Sequence, residues 1–280
     1  ALIFLGALLY GASLFLVAQA MHINAGAPSL LVLWALGVLP LGWILKYRAL
    51  KLLGLWVLTL ALGWEAVFWT EAIGGFCSIF LLWGVLLIAL GRLAPSLLED
   101  SEGLGVFVVL TALSVLATFG VGEDRAEWGL LPPGGQRRWV MLTVATMLVT
   151  LVHLARAQSR SIERREGWGL LAIELVAVFV MLGGALEADP VRFGLNIVLL
   201  AVLVGVLWLG YERRNAGWVQ LALIFFGLDV FCRYAELWSH MPTEIFFLSA
   251  GIVLLGGGIA LERVRRRLLV GLKDKEQDNE

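Results

Sequence analysis

Charge is scarce in this 280-residue chain: Asp, Glu, Lys and Arg make up 15% of it, against about 25% in soluble domains. So little charge excludes a water-soluble domain of any size. Cysteine and histidine are also thin, with two and three copies. Two cysteines cannot build a disulfide scaffold, and Cys77 and Cys232 are expected to be buried free thiols. His22, His153 and His240 lack metal-ligand spacing, so neither a metal nor a cofactor is expected. A Gly-x-Ser-x-Gly elbow, a P-loop, His-Glu-x-x-His and Cys-x-x-Cys are all missing. Nucleophilic, nucleotide and zinc chemistries thus lack their usual signatures, and the balance leans against an enzyme. A formal charge of −1 gives no global attraction to nucleic acid.

What the chain has instead is apolar length. Hydrophobic residues reach 60%, above the ~45–50% of soluble domains. At roughly 20 apolar residues per membrane-spanning helix, there is room for ten spans joined by short loops. Apolar runs fall near residues 1–20, 30–45, 50–69, 72–90, 103–121, 139–157, 168–186, 193–211, 218–238 and 244–261. None alternates apolar with polar residues as a barrel strand would, and backbone groups in lipid must be satisfied within their own segment. The expected fold is an all-α integral membrane bundle of about ten transmembrane helices. Residues 1–268 form its polytopic domain and 269–280 a charged cytoplasmic tail. No signal peptide is evident before the first span.

Orientation follows from the loops, because cytoplasmic loops retain positive charge. Sixteen of the 21 Lys and Arg lie in one alternating set: Lys46 to Lys51, Arg92, Arg156 to Arg165, Arg213 and Arg214, and the stretch from Arg263 to Lys275. The other set holds only Arg125, Arg137, Arg138, Arg192 and Arg233. The first set, with the C-terminus, is expected in the cytoplasm of a bacterial inner-membrane protein. Glu-Arg pairs before Trp168 and Trp218, with another at Glu262-Arg263, recur about every 50 residues. A duplicated two-helix unit would give this period, and so would any run of helical hairpins.

Two stretches carry a resemblance. Gln19, His22 and Ile23 form a Gln-x-x-His-Ile motif, followed by Leu33-Trp34-Ala35-Leu36. Near the other end, Arg233-Tyr234 leads through Phe246-Phe247 to the basic run at Arg263 to Arg267. Together they resemble an uncharacterised bacterial inner-membrane family whose members are often encoded beside, or fused to, a protein with a GDYXXLXY motif. The resemblance implies a polytopic membrane protein and supplies no reaction. Members usually carry helices ahead of the Gln-x-x-His motif, so by this resemblance the chain is expected to begin inside the family pattern.

Candidate polar sites are few. In the ninth helix Asp229, Arg233, Glu236 and His240 fall within one arc of about 60°, at 100° per residue. A charge in the bilayer must pair or reach water, so Asp229 and Arg233 are expected as an i,i+4 ion pair. The stripe either lines an outward-facing polar cavity or is structural. Glu174, two turns inside the seventh helix, is a proton-relay candidate or a hydrogen-bonded structural acid. Gln19, His22 and Asn24, with Glu65 and Glu71, mark the outer face. The longest outer loop carries Glu123, Asp124, Glu127 and Trp128, a docking candidate or an aromatic anchor at headgroup level. The leading expectation is a non-enzymatic component that binds another membrane or periplasmic protein. The alternative is a transporter or channel-like protein for an ion or small solute, with an acidic outward vestibule.

Overall fold

The computed structural model describes residues 2–22, 27–70, 73–98, 100–119, 133–157, 161–182, 188–237 and scattered positions between 251 and 263. Among these residues every regular element is a helix. They are α1 (Leu2–Ala20), α2 (Ala27–Ile44), α3 (Arg48–Trp69), α4 (Ile73–Leu93), a single turn α5 (Pro95–Leu98), α6 (Ser101–Phe119), α7 (Pro133–Arg156), α8 (Ser161–Leu182), α9 (Ala188–Glu212) and α10 (Ala216–Leu237).

Seven of these are long and apolar enough to cross a membrane: α1, α3, α4, α6, α7, α9 and α10. The other two long helices miss for different reasons. In α2 the apolar stretch Pro28–Ile44 is a little short. α8 opens on Glu163, Arg164, Arg165 and Glu166 and carries Glu174 further in, too much charge for one hydrocarbon window. The expected span at 244–261 lies almost wholly outside the described residues, as does the tail 269–280.

The chain divides into two compact units, Ala1–Val108 with Asp124–Ala185, and Val109–Glu123 with Leu186–Glu280. In the first unit α4 is the core: Cys77, Ser78, Ile79, Leu81, Leu82 and Val85 are all buried along it. It packs on α3, α5, α7 and α8. α1 joins through an interlock with α2, in which the Trp34 ring fills the notch at Gly11 and Tyr10 that at Gly37. The Trp34 indole N–H donates to the Ala7 carbonyl at 2.9 Å, satisfying a polar group at an apolar crossing.

α2 and α3 form a tight hairpin. Lys46 takes a left-handed φ of 50°; Tyr47 N–H donates to Gly42 O at 3.0 Å and Lys46 N–H to Trp43 O at 3.2 Å. That pair of bonds is the Schellman motif, which satisfies carbonyls left open at a helix C-terminus. In the second unit, α9 turns into α10 the same way. Arg214 has φ of 54°, Asn215 N–H donates to Gly210 O at 2.8 Å, and Arg214 N–H to Tyr211 O at 3.2 Å. The two turns share a sequence, Gly37-Val-Leu-Pro-Leu-Gly42 and Gly205-Val-Leu-Trp-Leu-Gly210, each with a basic residue four places on. The same six-residue pattern and the same turn thus recur in the two hairpins.

Candidate functional site

At the basic end of the first unit, where α3, α6 and α8 begin and α4 ends, lie two groups of ion pairs that together hold three cations and three carboxylates. Arg92, in the last turn of α4, reaches Glu102 in the first turn of α6 at 2.7 Å and Glu166 on α8 at 3.1 Å. Asp100, directly before α6, takes Arg48 at 2.7 Å and Lys51 at 3.2 Å. The set is neutral, and each of its acids and Arg92 sits where the helix dipole favours it: carboxylates near N-termini, Arg92 at a C-terminus. Glu102 and Glu166 are buried, so the Arg92 contacts are internal ties, whereas the Arg48 side chain is 78% exposed and meets Asp100 at the solvated edge. Gly91 makes room for the internal ties, since a Cβ there would collide with Glu102, Ser101 and the Leu98 carbonyl. Ser101 Oγ, within reach of the carbonyls of Leu87 at 2.8 Å and Leu98 at 2.6 Å, fixes the α4–α6 connection.

Polar groups are also buried in the α4–α7–α8 packing. One face of α7 buries Trp139, Thr146, Thr150 and His153. Thr150 Oγ1 donates to Glu174 Oε1 at 2.6 Å, with both residues buried. Further along, Trp139 Nε1 donates to Ser78 Oγ at 3.1 Å, and that hydroxyl to the Ala177 carbonyl at 2.8 Å. Glu174 thus lies inside the bundle with a hydroxyl partner 24 residues away on the neighbouring helix.

In the second unit the expected pair on α10 is present, Arg233 Nε lying 3.5 Å from Asp229 Oδ1. The shorter contact of the same guanidinium is its donation to Ala117 O, the end of α6, at 2.6 Å. Arg192 on α9 donates to the next carbonyl, Thr118 O, at 2.8 Å. Two arginines therefore cap the C-terminus of α6, where orphan carbonyls and the negative end of the helix dipole call for donors and positive charge. The side chain of Glu236, and His240 altogether, lie outside the described residues.

The outer-face candidates are dispersed. His22 is exposed with φ of 51°, and its Nδ1 lies 3.0 Å from Gln19 O, so the Gln-x-x-His motif closes the end of α1. Glu65 pairs with Arg138 at 3.2 Å across exposed ends of α3 and α7. Asn24, Glu71, Glu123, Asp124, Glu127 and Trp128 lie outside the described residues. Among the described residues no group of three or more His, Cys, Asp or Glu is placed to hold a metal ion. Cys77 is buried, Cys232 half-buried, and both are free thiols.

Sequence reasoning missed both groups of ion pairs, although a signal was present: Asp100, Glu102 and Glu166 are acids in the stretches where Lys and Arg accumulate. An acid there calls for a partner.

Residues 1–51 match the model of a family described as predicted membrane protein (DUF2157), an uncharacterised membrane family. The matched stretch holds the Gln-x-x-His motif, Trp34 and the turn at Lys46. No curated protein and no solved structure matches the chain.

Proposed function

We propose that this multi-helix membrane protein is a non-enzymatic component of the bacterial inner membrane that binds another membrane or periplasmic protein. In this reading it crosses the bilayer ten times with its C-terminus in the cytoplasm. The observation that carries it is that the buried carboxylates of Glu102 and Glu166 meet Arg92 and brace helix ends against one another, so this charge serves the packing while the outward faces stay apolar. Less than a third of the spanning window of α1, α7, α9 and α10 is buried within the protein, which leaves broad apolar faces for lipid or a partner helix. The loop with Glu123, Asp124, Glu127 and Trp128 provides the polar half of the contact.

A second reading rests on Glu174: an acid held by Thr150 inside the bundle is the kind of group a transporter of ions or small solutes uses. Photo-crosslinking in native membranes, from probes at Trp128 and Met141, separates the two. A discrete protein adduct that disappears when Glu123, Asp124 and Glu127 are replaced by Ala is expected. Adducts to lipid alone, together with a solute-uptake defect in Glu174→Gln, would replace the first reading with the second.

A further inference from the structure

The α7–α8 hairpin has a groove of about 550 Å³ at its basic end, lined by Leu151, Leu154 and Ala155 of α7 and by Arg164 and Trp168 of α8. The three α7 residues share one helix face by their i, i+3, i+4 spacing, and the two α8 residues share one by i, i+4. α7 runs into the connection and α8 runs out of it. Ala155 and Arg164, nearest the connection, therefore lie at one level, and Leu151 and Trp168 about 6 Å further in, at 1.5 Å per residue.

The groove is graded along that direction. At its mouth is Arg164, which is exposed and, unlike Arg48, Arg92, Arg138 and Arg233, has no ion-pair partner among the described residues. Arg156, at the end of α7 beside the lining residue Ala155, is exposed and has no ion-pair partner in the same sense, so two exposed cations stand at or next to the mouth. Next comes Trp168, 60% exposed, an indole with an apolar body and one N–H donor. Level with the indole and beyond it the α7 wall is aliphatic, through Leu151 and then Leu148, both exposed. Guanidinium, amphipathic ring and hydrocarbon follow in the order of phosphate, glycerol ester and acyl chain.

We infer that this groove binds one anionic phospholipid, with its phosphate on Arg164, its glycerol region against Trp168 and an acyl chain along Leu151. A free anion would use only Arg164 and leave the indole and the leucines against water. A zwitterionic lipid would fill the same groove with its own cation near Arg164 and Arg156, and so binds less well.

The test is native mass spectrometry of the detergent-solubilised full chain with equal amounts of phosphatidylglycerol and phosphatidylcholine of identical chains. The wild type is expected to retain phosphatidylglycerol preferentially. Arg164→Gln should lower the ratio of the two bound lipids about fivefold, the weight of one cation near a headgroup. Arg164→Lys should keep the ratio, and Trp168→Ala should reduce retention of both lipids. Arg214→Gln, an equally exposed arginine on another hairpin, should change nothing. An unaltered ratio in Arg164→Gln, or equal loss in Arg214→Gln, overturns the inference. So does displacement by millimolar inorganic phosphate, or a protein adduct from a photo-crosslinker at Leu151.

Discussion

Arg92 is held by two buried carboxylates from two different helices, so its removal differs from the loss of an ordinary surface charge. Arg92→Gln strands Glu102 and Glu166 without their cation, which should cost about 3–5 kcal/mol, read as a lower melting temperature in detergent. Adding Glu102→Gln and Glu166→Gln to that background should recover part of the loss; a further drop would show that the acids are held by other groups. Arg233 behaves differently. Its contact with Asp229 is long, at 3.5 Å, while its bond to Ala117 O is 2.6 Å. Asp229→Asn should therefore cost under about 1 kcal/mol. Arg233→Gln, which strips a donor from a helix end, should cost about 1.5–3 kcal/mol, and the double variant should match Arg233→Gln. Recovery in the double variant would mean that the ion pair itself dominates. Spacing along α10 makes the pair legible, but the carbonyl 116 residues away is not, because periodicity names a face and never its neighbour.

At the level of elements, the two hairpins share one construction. A Cβ on Gly42 would lie 2.9 Å from Lys51 N, and one on Gly210 would lie 3.0 Å from Trp218 Cβ and 3.1 Å from Val219 N. Backbone and Cβ atoms cannot swing aside as a side-chain tip can. Gly42→Val and Gly210→Val should each destabilise by about 1–3 kcal/mol in thermal unfolding. Lys46→Gly and Arg214→Gly remove a left-handed non-glycine residue and should be neutral or stabilising by up to about 1 kcal/mol. The opposite ordering would show that the turns rearrange. Helix existence was readable from the sequence because a 20-residue apolar run in lipid has one backbone solution. The extra turn α5 was not, since four residues carry no period. The charged opening of α8 was legible only as a loop, because its acid Glu166 finds Arg92 through tertiary packing alone.

For the molecule as a whole, the test is sidedness. Single cysteines at Gly134 and Asp189 should react with an impermeant reagent added outside intact cells, and those at Ser159 and Arg214 should not; the reverse pattern would overturn the orientation. The candidate site was half legible at this scale: Glu174 stood out as an acid in an apolar run, whereas Thr150, Trp139 and Ser78 looked like ordinary residues of apolar helices. The α2–α3 turn also bears on how the chain is made. Leu45, Lys46 and Tyr47 are all that separate the two helices, and α2 is a little short to be held in lipid by itself. The 22 residues of α3 take about 1–4 s to synthesise at ~5–20 residues per second. Insertion of α2 should therefore depend on α3: in a glycosylation-mapping assay α2 alone should insert poorly and the α2–α3 hairpin fully, and full insertion of α2 alone would show that the two helices enter the bilayer separately.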